Sequence, residues 1–141
     1  MKVEQIEIIC GEFHLLGRLE TERAPATCRA ITRLLPLAAH LLHARWSGEA
    51  GWIPLGDLDT GVQAENATCY PSPGELLLFP GGASEAEVLF PYGATAFASK
   101  AGALAGNHFA TVVLGAEHFT EIGRRLLWQG AQKIEIKAAP A

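Results

Sequence analysis

A mainly β protein, built as a closed barrel of about eight strands with two helices, is the fold this sequence predicts. Short apolar segments are cut by turn signals at Tyr70-Pro71-Ser72-Pro73-Gly74, Pro80-Gly81-Gly82, Pro91-Tyr92-Gly93 and from Gly102 to Gly106. That punctuation recurs every ~8–12 residues, the rhythm of an all-β barrel or sandwich rather than of strands alternating with crossover helices. Two other segments, near 25–35 and 116–129, carry the helical period instead. The 141 residues make one domain, spanning 1–141, that is long enough to bury a core.

The elements follow in order. Val3, Ile6, Ile8 and Ile9 form a β-branched run, Cys10-Gly11-Glu12 breaks it, and Phe13 to Leu16 resumes it as a hairpin with a bulge expected at Gly17. Pro25 stands where a first helical turn tolerates a missing N–H. Cys28, Ile31, Leu34 and Leu35 then share one helical face, and Pro36 stops the helix. Leu37 to Trp46 reads as a strand from about His40, with a kinked second helix ending at Ser47-Gly48 as the alternative. Glu49 to Pro54 returns antiparallel, and 56–66 is a polar Gly/Asp-rich loop of low order. Strands follow at Glu75–Phe79, Glu85–Phe90, Thr95–Ala98 and Asn107–Leu114. Ala116 to Gln129 is amphipathic, with Phe119, Ile122 and Leu126 on one face, Arg124 and Arg125 late, and Gly130 as the stop. Gln132 to Lys137 closes the sheet at an edge. From the order of elements, each helix is expected to cover one open end of the barrel.

Composition narrows the function classes. A formal charge of −4 and scattered basic residues argue against nucleic acid, which needs clustered Lys and Arg. No apolar run approaches the ~20 residues needed to cross a bilayer, and the N-terminal segment does not read as a signal peptide. Cys10, Cys28 and Cys69 are an odd number with no C-x-x-C, which fits reduced thiols and a cytoplasmic location. His14, His40, His43, His108 and His118 form no metal-binding spacing, so no metal and no cofactor are expected. No nucleophile elbow or phosphate loop is present. The chain is apolar for its size, with mean hydropathy +0.17 and three Trp, so a homo-oligomer, most plausibly a dimer, is expected.

Several blocks carry a family resemblance. Ala24-Pro25-Ala26-Thr27-Cys28 resembles the Ala-Pro-x-Thr opening of the first helix of cyclophilins. Arg45-Trp46-Ser47-Gly48-Glu49, Tyr70-Pro71-Ser72-Pro73-Gly74-Glu75 and Ala105-Gly106-Asn107-His108-Phe109 resemble an uncharacterised bacterial family of small cyclophilin-like proteins, a domain of unknown function. The run from Pro80-Gly81-Gly82 through Pro91-Tyr92-Gly93-Ala94-Thr95 belongs to the same pattern, and the match extends from about Arg23 onward. The resemblance implies a closed cyclophilin-like barrel with two helices and no assigned activity. The chain departs from true cyclophilins where their chemistry lies. Phe13-His14 is followed by Leu15 rather than Arg, and Pro80-Gly81-Gly82-Ala83 replaces their Gln-Gly-Gly-Asp turn. Negligible prolyl isomerisation follows, because nothing here is set to lower a barrier of about 20 kcal/mol.

The candidate site residues are Arg45, Trp52, Tyr92, Lys100, Asn107 and His108. Asn107 and His108 are polar residues at the head of an apolar strand, and strand alternation sets His108 with Ala110 and Val112. They read as groups that satisfy loop backbone and core, or as a carbonyl-fixing amide beside a general base. Lys100 lies in a Gly/Ala loop that lets a ligand approach the backbone, and it is either a solvated charge or an anion anchor. Arg45 has an aromatic neighbour in Trp46, and Trp52 lies on the returning strand. The pair reads as surface packing or as a carboxylate clamp. Tyr92 belongs to the Pro91-Tyr92-Gly93 turn, whereas Glu85 and Glu87 read as a solvated rim. The expected function is a small-molecule-binding or accessory protein. The alternatives are an enzyme acting on a small amide or carboxylate through His108 and Asn107, and a weak prolyl isomerase.

Overall fold

The computed structural model describes residues 2–140. The elements are β1 (Gln5–Cys10), β2 (Phe13–Leu19), α1 (Pro25–Leu34), β3 (Leu37–His43), β4 (Gly48–Gly56), β5 (Ala67–Thr68), β6 (Glu75–Phe79), β7 (Ala86–Thr95), β8 (Ala98–Ser99), β9 (Gly102–Ala103), β10 (Gly106–Leu114), α2 (Phe119–Gln129) and β11 (Gln132–Ala138). A single 3-10 turn, Ala116–His118, leads into α2. Eight strands run β2-β1-β11-β3-β4-β7-β6-β10, and pairing of β10 back to β2 closes them into an antiparallel barrel. The short β5 adds to the head of β10 outside the barrel, and β8 with β9 makes a separate hairpin. Closure removes the exposed edges that an open sheet would present.

Strand alternation divides the apolar residues between two cores. Ile6, Ile8, Leu15, Leu41, Ile53, Leu76, Leu78, Val88 and Phe90 point inward with Ile134 and Ile136. Cys28 and Ile31 of α1, and Phe119, Ile122 and Leu126 of α2, join that cluster. The wall is closed, so helical side chains reach its interior through the barrel's openings. Gly51 makes room for this: a Cβ there would collide with Leu41 and meet the Leu126 side chain. The second core lies on the outer face of β4, β7 and β6. There Ala50, Leu77, Phe79 and Leu89 are covered by Phe97 and Leu104, which flank the β8–β9 hairpin, with Trp52 packed alongside.

Four local readings are corrected. Pro91-Tyr92-Gly93 does not turn the chain; it lies within β7. Gly48 pairs with Thr95 and Ala50 with Pro91, so β7 bulges at Tyr92–Ala94 opposite Glu49. A proline and a glycine are tolerated at such an irregularity, where the ladder is already broken. The strand expected from His40 begins at Leu37, directly after Pro36 ends α1, and finishes at His43. The strand expected at Thr95–Ala98 is divided between the end of β7 and the start of β8. Gly17 is regularly paired with Ile6 and Val112, and the register shift falls on β10 between Val112 and Leu114.

Candidate functional site

The outer core leaves a cleft of about 380 Å³ between the β3–β4 turn and the β8–β9 hairpin. His43, Arg45, Trp46 and Ser47 line one side, Trp52, Ser84 and Glu87 another, and Ala98, Ser99 and Lys100 the third. Each lip has a local cause. The β3–β4 turn is closed by the Ala44 N–H donating to the Ala50 carbonyl at 2.8 Å. The hairpin tip is fixed by the Ala101 N–H donating to Ser99 Oγ at 3.0 Å. Ser47 joins the two. Its hydroxyl donates to the Ala98 carbonyl and accepts from the Ala98 N–H, both at 3.1 Å, and its carbonyl accepts from the Ala96 N–H at 3.0 Å. Those bonds account for its burial at 4% exposure.

Arg45, Trp52 and Lys100 therefore share one cleft, with the two cations exposed on opposite lips and Trp52 half-buried on the wall. Glu87, read from sequence as rim, is instead buried within that wall at 6% exposure. Register explains its surroundings. Pro54 of β4 and Phe79 of β6 stand directly across from it, and Trp52 is a diagonal neighbour on the same face. Among the described residues no hydrogen bond or ion pair to its carboxyl is found. Burial, reinforced by the Glu85 charge, pushes that carboxyl up to about 7. A carboxyl that titrates near neutrality within a cleft is the kind of group found at working sites.

Tyr92 stands apart from the cleft wall. The bulge turns it toward α2, where its ring packs against Gly123, and its hydroxyl bonds His43 Nε2 at 2.9 Å. His43 pairs with the inward Gly51 and stands two residues after the inward Leu41, so its ring meets the Tyr92 hydroxyl on the inner face of the sheet, behind the cleft wall. Burial, and then the Glu49 charge, raise the Tyr92 hydroxyl above its ordinary value.

Asn107 and His108 lie outside the cleft and on opposite faces of β10. Asn107 is opposite the inward Leu78 and His108 opposite the outward Leu77. A register shift between His108 and Ala110 breaks the alternation that would have set His108 with Ala110. Asn107, 1% exposed, is fully engaged. Its amide donates to Thr27 Oγ1 and to the Gln63 carbonyl, and its carbonyl accepts from the Glu65 N–H. Glu65 in turn accepts from the Thr27 N–H at 2.6 Å and from its hydroxyl at 2.7 Å. This remote carboxylate caps α1, whose own N-cap, Ala24, has no polar side chain. The loop expected to be of low order is thus tethered at Gln63–Asn66. On the outer face the Thr111 hydroxyl donates to Glu20 at 2.7 Å, and His108 Nε2 lies 2.8 Å from Thr111 Oγ1. The one hydroxyl proton goes to Glu20, so Nε2 is the donor to Thr111. Burial opposes ionisation of Glu20, yet the bonds from Thr111 and Arg18 hold its carboxyl below the ordinary value.

No group of three or more His, Cys, Asp or Glu side chains that could hold a metal ion is found among the described residues. Among the described residues no helix is long and apolar enough to cross a membrane.

Comparison with known proteins places this geometry. No curated protein matches the sequence. Among solved structures, McbB in complex with tryptophan is similar with a TM-score of 0.74 at 19% identity, over 96% of this chain and 45% of McbB. The chain therefore spans less than half the length of that neighbour. The hypothetical protein AF2241 from Archaeoglobus fulgidus is similar with a TM-score of 0.64 at 18% identity, over 97% of this chain and 95% of its own. At these identities the likeness establishes the fold, a cyclophilin-like barrel. Residues 6–138 match the family described as protein of unknown function DUF3830, and the chain belongs to that family.

Proposed function

We propose that this barrel binds a small molecule bearing a carboxylate and an aromatic or apolar part, in the cleft on its outer face, and that it acts as a binding or accessory protein. One observation carries the reading. A single cleft gathers two cationic side chains, Arg45 and Lys100, around a wall that carries Trp52. An apolar surface with a few convergent polar groups is the usual form of a ligand site. Arg45 and Lys100 supply the anion contacts and Trp52 the apolar surface. McbB is described in complex with tryptophan, which makes an aromatic amino acid the first ligand to test. The free cysteines, two of them buried, support the cytoplasmic setting that belongs to the same proposal.

The alternative of an enzyme built on Asn107 and His108 has less support. The two side chains face opposite ways, and the hydrogen-bonding capacity of Asn107 is taken up by Thr27, Gln63 and Glu65.

Thermal-shift measurement against L-tryptophan, 3-phenylpropionate and benzamide tests the proposal. A ligand at 100 times its Kd adds about 2.7 kcal/mol, roughly 5–10 °C for a chain of this size. The carboxylates should shift the melting temperature more than benzamide, and Arg45→Ala with Lys100→Ala, or Trp52→Ala, should remove most of the shift. No shift from any of the three, or shifts indifferent to those substitutions, would overturn it. A proline-peptide assay on the same preparation should run at the uncatalysed rate; acceleration near that of a cyclophilin would revive the isomerase alternative.

A further inference from the structure

Glu87 is the feature that carboxylate binding does not use. A carboxyl between Pro54 and Phe79, on the same face as Trp52 and Leu89, gives up most of its hydration, keeps solvent contact only through the cleft, and gains no hydrogen-bond partner among the described residues. Burying such a group is unfavourable unless something compensates it. An apolar residue would pack against Phe79 and Leu89 without that cost. The side chain is 6% exposed and lines the cleft, so a ligand can reach it.

Resting on the cleft as the binding site, we infer that its ligand also carries a protonated amine, and that this amine seats on the Glu87 carboxylate against the face of Trp52. An ammonium supplies the charge and hydrogen bonds that Glu87 lacks, and a Trp ring beside it adds cation–π attraction. The cleft's polarity then has a direction. The acid lies within the wall, and the cations Arg45 and Lys100 stand on the exposed lips. A molecule with both an ammonium and a carboxylate on a short apolar or aromatic frame fits that order, and a dicarboxylate does not.

The groups around Glu87 set how binding should depend on pH. Its own chain contributes the acid Glu85, β4 contributes Trp52 and Pro54, and β6 contributes Phe79. The remaining titratable groups on the cleft are His43, Arg45 and Lys100. The amine must meet an ionised carboxylate, and a primary amine stays protonated up to a pH of about 10. With the free carboxyl titrating at about 7, its ionised fraction rises about tenfold between pH 6 and pH 8, and apparent affinity rises with it.

Calorimetric titration of the full chain with phenethylamine, 3-phenylpropionate and L-phenylalanine tests this, at pH 6 and pH 8 and in two buffers of different ionisation heat. Phenethylamine should bind about tenfold tighter at pH 8 than at pH 6 and release a proton at pH 6, whereas 3-phenylpropionate, repelled by the same charge, should bind less tightly at pH 8 than at pH 6 and release none. Glu87→Gln should weaken phenethylamine at least tenfold at pH 8, abolish its pH dependence and tighten 3-phenylpropionate. Should that variant fail to fold, the proton release and pH profile of the unaltered protein decide. Phenethylamine that binds with no pH dependence, or that binds Glu87→Gln as tightly, overturns the inference. So does a cleft that takes 3-phenylpropionate and rejects phenethylamine, although carboxylate binding then survives. Failure of all three probes overturns carboxylate binding in the cleft as well.

Discussion

Glu87 and Asn107 are both buried polar side chains on barrel strands, and they differ in what surrounds them. Asn107 meets a hydroxyl, a carbonyl and an N–H that satisfy it. Glu87 meets a proline and a phenylalanine across the ladder. The contrast predicts opposite responses to substitution. The Glu87 carboxyl is raised from 4.5 to about 7, so the folded state holds its proton more tightly than the unfolded chain. Stability from this group is therefore full below 4.5, falls as pH rises through that interval, and is lost above about 7. The loss is on the order of 3 kcal/mol. Glu87→Gln should accordingly stabilise the protein at pH 8 by up to that amount and change little at pH 4. Denaturant melts at the two pH values check it, and equal effects at both would show that the carboxyl does not titrate as described. Asn107→Ala, in contrast, should destabilise by about 2–4 kcal/mol, because it strands buried partners.

At the level of elements, most strands were legible because their apolar residues alternate or run together between turn residues. The helices were legible from Pro25 and Pro36 at the limits of α1 and from Gly130 at the end of α2. Bulges were not. Pro91-Tyr92-Gly93 has turn composition yet lies inside β7, because three residues bulging opposite Glu49 need the same permissive chemistry as a turn. Phe109 at the β10 register shift reverses the facing of His108, which simple alternation had set inward. Candidate residues held together by one turn or hairpin were easier to find than those joined across the fold. Arg45 and Trp52 flank a single turn, whereas the pairing of Ser47 with Ala98 spans 51 residues. That staple predicts that Ser47→Ala costs about 1–3 kcal/mol through the unsatisfied Ala98 groups. It should also weaken ligand binding by letting the lips separate, while the conservative Ser47→Thr retains both properties. Melting and the same ligand titrations read the two effects, and wild-type affinity in Ser47→Ala would show that the lips hold without it.

For the whole molecule, the closed barrel follows from sequence, and the place of the site does not. The barrel interior is packed by strand side chains together with residues from both helices. The proposed site is instead on the outside, where the segment 96–105 lays Phe97 and Leu104 over β6 and β7. Glu87 carried no sequence signal because its burial depends on this cover and on its register with Phe79, both set by long-range contacts. The apolar residues left outside both cores include Leu114, Leu127 and Trp128, the last 80% exposed. A homodimer that covers part of this surface remains our proposal, and light scattering at micromolar concentration should give twice the chain mass; a monomer there would contradict it.

In the proposed complex the ligand sits on the outer wall between Arg45, Lys100 and Glu87. Backbone and indole NMR of the labelled protein, titrated with L-phenylalanine, tests it most directly. The account predicts saturable shifts of the Trp52 indole N–H and of the amides of Arg45, Glu87, Ala98 and Lys100, with Asn107, His108 and the α1 amides unmoved. Saturable shifts centred on Asn107, His108 or α1, with the Trp52 indole unchanged, would contradict it.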